Sequence, residues 1–313
     1  MNTALVCSHF LELCEYSLMA EVSATPKPGL VDLHDSGAHK DMCFDTFRAS
    51  SAAIAPHIAQ MFRLGAEWPD KGGAGLFAAI RPIGIAAEKA MFEATCGINT
   101  HKGMIFSMGL VGAAAGLFYQ NHGCFCPEEI LTLAGALCAD TLEQDFDRID
   151  PASPRTHGEV LYVRYGIKGI RGEAQKGFPS IRDISLPAIR FRKKTCADDN
   201  QVYLNTLLAL MSQVDDTNVL IRTNHALLNY EKAEASRILS LGGASSKAGL
   251  DALRQLNEDF IRLNISPGGC ADLLAVTILL WQLEQLQGGY HETEVRGTRG
   301  ESAAFCVPHG TAF

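Results

Sequence analysis

No C-x-x-C pair occurs among the ten cysteines of this chain, and the closest two, Cys124 and Cys126, are separated by a single residue. That spacing argues against a structural zinc ribbon, and scattered thiols imply a reducing, cytoplasmic setting. No stretch reaches the ~18 consecutive apolar residues of a membrane span, so no membrane is expected as a partner. The opening MNTALVCSHFLELCEYS has no basic segment before a long apolar one, and no secretory signal is expected. Strand signals are scarce: LYVRY at 161–165 is a short candidate with nothing to pair with. Walker A, dinucleotide G-x-G-x-x-G, zincin H-E-x-x-H and G-x-S-x-G elbow patterns are all missing.

What remains is helical. Apolar residues recur at three and four over 3–20, 46–63, 80–94, 103–120, 127–143, 202–214, 217–240, 247–262 and 270–287. Pro127-Glu128-Glu129 and Ser266-Pro267-Gly268-Gly269 read as helix openings. The pattern predicts an all-α fold, a single globular domain of eight to eleven helices over 1–287, with polar loops that build a cavity suited to a polyphosphate. Periodicity is lost from Gly288, so 288–313 is expected to be an irregular tail. The net charge is −8, yet Arg155–Lys194 holds ten Lys/Arg against three Asp/Glu. A basic segment inside an acidic chain suits a local anionic ligand, whereas nucleic-acid binders are usually basic more widely, and no nucleic acid is expected.

Five loops place charge and glycine between apolar helices. TPKPGLVDLHDSGAHKDM at 25–42 crowds Lys27, Asp32, His34, Asp35, His39, Lys40 and Asp41 around two prolines. Such a set suits a divalent metal or a phosphate, or simple turn chemistry. GINTHKG at 97–103 puts Asn99, Thr100, His101 and Lys102 before a helix whose first amides and dipole favour anions, if Gly103 opens it. Glu88, on the preceding helix, needs a partner there. YGIKGIRGEAQKGFP at 165–179 keeps Lys168, Arg171 and Lys176 beside flexible glycines, with Glu173 the lone central acid. Asp215, Asp216 and Thr217 stand where a helix starts, so one is an N-cap, and Arg222 follows. Asp272 falls in the first turn after Pro267-Gly268-Gly269, a place the helix dipole alone explains.

Taken together and in order, KPGLVD with GAHKDM, GINTHKG followed by IFSMGL, YGIKGIRGEAQKGFP, DTNVL and LNISPGGCADLLA resemble the triphosphoribosyl-dephospho-CoA synthase family. The resemblance runs from about Glu21 to about Leu286. It departs at Cys270, where the family pattern has serine, and at Thr223-Asn224, where it has two glycines. It implies a transferase that moves the triphosphoribosyl group of ATP to 3′-dephospho-CoA and releases adenine. The product is the prosthetic-group precursor for an acyl carrier subunit of citrate lyase or malonate decarboxylase, passed on to a holo-acyl-carrier-protein synthase. A homodimer is among the assemblies the sequence permits.

The chemistry implied needs Mg²⁺, carboxylates and phosphate clamps. Lys27, Asn99, Thr100, His101, Lys102, Gly103, Arg171, Gly172 and Arg222 are expected to bind ATP or its partner. Asp32, Asp41, Asp216 and Glu88 are expected around the metal. Glu173 is the first choice for the catalytic base and His39 the second, with Asp216 also at the reacting centre. A Mg²⁺-dependent hydrolase of an ADP-ribosyl or nucleotide N-glycosidic bond would use the same loops and stands as the alternative.

Overall fold

The computed structural model describes residues 3–294, with side chains described through 286. Thirteen α-helices are present and no β-strand occurs among the described residues. In chain order they are α1 (Thr3–Ser23), α2 (Phe44–Ala66), α3 (Leu76–Ala94), α4 (Lys102–His122), α5 (Pro127–Asp147), α6 (His157–Tyr165) and α7 (Gly169–Gln175). After a π-helical turn at Ile181–Ser185 come α8 (Leu186–Thr195), α9 (Asp199–Met211), α10 (Thr217–Arg222), α11 (His225–Ser240), α12 (Lys247–Leu263) and α13 (Gly268–Glu294).

Two helices are apolar on every side and form the centre. On α4 every residue from Ser107 to Leu117 is buried, and on α13 the run Leu273–Leu280 is buried throughout. Both are long and apolar enough to cross a membrane, yet both lie largely inside the protein. That is the signature of a core helix, each large buried side chain contributing about 1.5–3 kcal/mol. Close approach of α2 to α4 depends on glycine. A Cβ on Gly116 would stand 2.0 Å from the Phe62 carbonyl oxygen, and one on Gly65 would stand 2.0 Å from that of Ala113. Around this centre pack α1, α3 and α5, with α13 against α1, α4 and α9.

The described residues hold thirteen helices where eight to eleven are expected, since α6, α7 and α8 all lie outside the spans the periodicity predicts. LYVRY is the second half of α6, a helix capped by the Thr156 hydroxyl and closed by Gly166 at φ 68°, with Leu161 its buried anchor. The span 217–240 is two helices. Thr223 donates its hydroxyl to the Val219 carbonyl (2.6 Å) and leaves helical geometry, after which Asn224 caps α11 through Leu227 N–H (3.0 Å). Hydroxyl and amide side chains that compete for backbone partners explain the break. Finally, α13 continues to Glu294, past the expected end at 287, and the remainder of the expected tail, 295–313, lies outside the described residues.

Candidate functional site

The starts of α4 and α13 open into one cavity of about 540 Å³. GINTHKG forms one wall. Asn99 accepts from Lys102 N–H (3.2 Å), which caps α4. Thr100 donates its hydroxyl to Ser50 Oγ (2.7 Å), and Ser50 lies 2.6 Å from His101 Nδ1. His101 is buried, and desolvation followed by the positive Lys27 lowers its pKa to about 3, so the imidazole is neutral. Its Nε2 is buried and has no partner. Lys102 pairs with Glu88 (2.9 Å).

The second wall is the 25–42 loop, held by a set of internal bonds. Asp32 is buried, and its carboxylate accepts from Thr25 Oγ1, Lys27 N–H, His34 N–H and Asp35 N–H at 2.8–3.0 Å. Those four donors occupy the oxygens, so Asp32 organises the loop. Arg222 on α10 reaches back to the Ala38 carbonyl (2.8 Å) and to Asn264, clamping the loop onto the end of α12. Lys27 is buried in an ion pair with Glu21. His39 Nε2 lies 2.8 Å from Ser266 Oγ, and burial, then Arg222, lowers its pKa.

Of the residues singled out in the sequence, Lys27, His39, Asp41, Asn99, Thr100, His101, Lys102, Gly103 and Arg222 all line this one cavity. Ile170, from the 165–179 loop, lines it as well. Arg171 faces an adjoining hollow of about 480 Å³ whose wall shares Asn99, Lys102 and Gly103 with the main cavity. Glu173 and Gly172 sit in a third hollow of about 330 Å³, where the Glu173 carboxylate accepts from Ser180 N–H (3.1 Å) and Oγ–H (3.0 Å).

The four acids expected around a metal do not converge. Asp216 is a buried cap: it accepts from Asn218 and Val219 N–H at the start of α10 and from Cys270 N–H (2.8 Å) at the start of α13. Glu88 is engaged by Lys102 and Asp41 is exposed, 3.9 Å from His39. Among the described residues no group of three His, Cys, Asp or Glu side chains is placed to hold a metal.

Two other acids face the cavity instead: Asp272, expected only to complement the helix dipole, and Glu21, not expected at the site. Asp272 is half-buried on α13 and makes no hydrogen bond or ion pair among the described residues, and desolvation pushes its pKa up. Its carboxylate occupies the space that a side chain at position 103 would fill: a Cβ on Gly103 would stand 2.3 Å from Asp272 Oδ2. Glu21 is the other, its pKa raised by desolvation against the pull of Lys27. A signal for Glu21 existed, since it continues the buried spacing of Phe10, Cys14 and Leu18 along α1, where a charge demands a partner. With Lys27, Lys102 and Arg222 in its walls, two neutral imidazoles, the unpartnered Asp272 and Glu21 paired to Lys27, the cavity is built to hold a polyanion and to move a proton.

Such an all-helical protein with a cation-walled cavity fits a transferase acting on phosphorylated substrates. The CitG family, described as ATP:dephospho-CoA triphosphoribosyl transferase, matches residues 7–290, and the chain belongs to that family. It is 38% identical over 275 residues to the 2-(5″-triphosphoribosyl)-3′-dephosphocoenzyme-A synthase of Klebsiella pneumoniae, covering 88% of this chain and 90% of that one. It is likewise 38% identical to a probable synthase of the same name from Lactiplantibacillus plantarum, covering 90% and 97%, and 39% identical to one from Vibrio cholerae, covering 88% of each. No solved structure matches the chain.

Proposed function

We infer that this chain transfers the 5-triphosphoribosyl group of ATP to the 2′-hydroxyl of 3′-dephospho-CoA, releasing adenine, in the cavity where α4 and α13 begin. The observation that supports this most is the convergence there of loops from five distant parts of the chain, all within the stretch that aligns with the synthases. In this reading Lys27, Lys102 and Arg222 bind the triphosphate, and the unpartnered Nε2 of His101 takes a further ligand atom. The C1″–N9 bond of ATP breaks, its electrons leave with adenine, which takes up a proton from solvent, and a new C1″–O2′ bond forms. The 2′-hydroxyl proton goes to His39, which is neutral at physiological pH and faces the cavity. Glu173 is the weaker base, because Ser180 occupies its carboxylate and it faces another hollow.

Mg²⁺ belongs to the same reading. Asp272, with its free carboxylate, and Asp41 suit an ion that takes one or two carboxylates and completes its shell with phosphate oxygens and water. When bound, the ion supplies charge neutralisation to the triphosphate. The product would serve as prosthetic-group precursor for an acyl carrier subunit of citrate lyase or malonate decarboxylase, in a cytoplasmic setting.

The experiment is to incubate the purified chain with ATP, Mg²⁺ and dephospho-CoA and to follow free adenine by chromatography. Adenine is expected only when dephospho-CoA is present. Release with water alone would establish the N-glycosidic hydrolase in place of the transferase.

A further inference from the structure

Lys102 and Arg171 border not only the hollows beside the main cavity but also a groove of about 250 Å³ between α3, α4 and α5. Its character changes along its length. The end at Lys102 and Arg171 carries two cations, of which Lys102 is paired with Glu88 while Arg171 makes no hydrogen bond or ion pair among the described residues. The remainder is largely apolar, built from side chains such as Ile80, Phe106 and Leu142, with the Arg81–Asp145 ion pair (3.1 Å) also in its wall and Ile85 at its edge and 70% exposed. An exposed apolar edge in a groove with an unpaired guanidinium at one end matches a ligand that is anionic at one end and neutral along the rest.

The acceptor nucleotide of the reaction inferred above has that form: a 5′-diphosphate continued by a long, uncharged pantetheine arm. We propose that this groove holds the pantetheine arm of dephospho-CoA, with the diphosphate between Lys102 and Arg171. ATP then occupies the main cavity, and the two nucleotides meet at GINTHKG, whose Lys102 borders both sites. Continuity of the groove with the main cavity through Lys102, and with the adjoining hollow through Arg171, argues for a substrate arm over a second protein.

The inference rests on the transferase reading, and the test separates the two. Adenine release is measured with two acceptors, dephospho-CoA and ADP, which keeps the 2′-hydroxyl and the diphosphate but has no arm. In the wild-type protein dephospho-CoA should be preferred by KM. Ile85→Glu puts a charge at the exposed edge, and Gly84→Leu fills the groove from α3, where a Cβ meets its nearest atom, Met61 Cε, at an ordinary 3.7 Å. Both should raise KM for dephospho-CoA about tenfold, a loss on the scale of one to two buried methylenes, and leave KM for ATP and for ADP unchanged. Unchanged preference for dephospho-CoA in both variants overturns the groove assignment, as does an equal loss for both acceptors or a change in oligomeric state by light scattering. If the wild-type protein releases no adenine with either acceptor, it is the transferase reading that falls.

Discussion

Glu231 on α11 has no exposed surface, and neither carboxylate oxygen has a hydrogen-bond partner. Burial first, and the neighbouring Asp216 second, push its pKa up to about 9, so the folded protein holds it neutral. The unfolded chain ionises this group from about pH 4.5, so the stability associated with the neutral form is present below that pH and is lost progressively up to pH 9. At pH 7 the loss is roughly 3 kcal/mol. Glu231→Gln should therefore stabilise the protein in denaturant titrations at pH 8 and much less at pH 5; the same gain at both values would show that ionisation is not the cause. Asp272 raises a different issue, because it faces the cavity. Asp272→Asn should lower adenine release about 10- to 150-fold, the range for one charge-assisted contact, with the helical circular dichroism unchanged. Retained turnover would remove Asp272 from the site. The sequence made the cations legible, because lysines and arginines between glycines need an anion. It did not distinguish Asp272, since a carboxylate near the start of a helix is already explained by the dipole, and only the approach of α4 to α13 reveals its second use.

Elements were read best where periodicity was strong. The cores of α2, α4, α5, α12 and α13 lie within the spans the apolar spacing predicts. The short helices α6, α7 and α10 were not legible as such, because each buries few side chains and is set by caps and by contact with neighbours. What brings α2 and α4 together is equally local in its cause. Gly116→Ala would drive a methyl group into the Phe62 carbonyl, and neither backbone has room to yield. The expected cost is about 1–3 kcal/mol, seen as a lower denaturant midpoint with an unchanged slope. A neutral outcome would mean that the two helices can separate without penalty.

The whole molecule assembles its cavity from contacts across long chain distances. Arg222 meets Ala38 and Asp216 meets Cys270, and no local pattern announces either pairing. The loops could be named from the sequence; their common hollow could not, because convergence depends on how α4, α10 and α13 are stacked. One consequence is thermodynamic. A ligand bound at this convergence stabilises the elements that meet there, so ATP with Mg²⁺ at about 100 times its Kd should add about 2.7 kcal/mol to unfolding, read as a higher melting temperature. No shift with ATP at any concentration would mean that the folded protein does not bind the nucleotide.

The two most deeply embedded helices, α4 and α13, also turn their first residues toward the cavity. Part of the attraction for a phosphate chain therefore comes from peptide dipoles, which carry no proton to lose and no side chain to replace. Truncating any single lysine leaves that contribution untouched, and alkaline solution does not discharge it. It disappears only when the central helices themselves come apart.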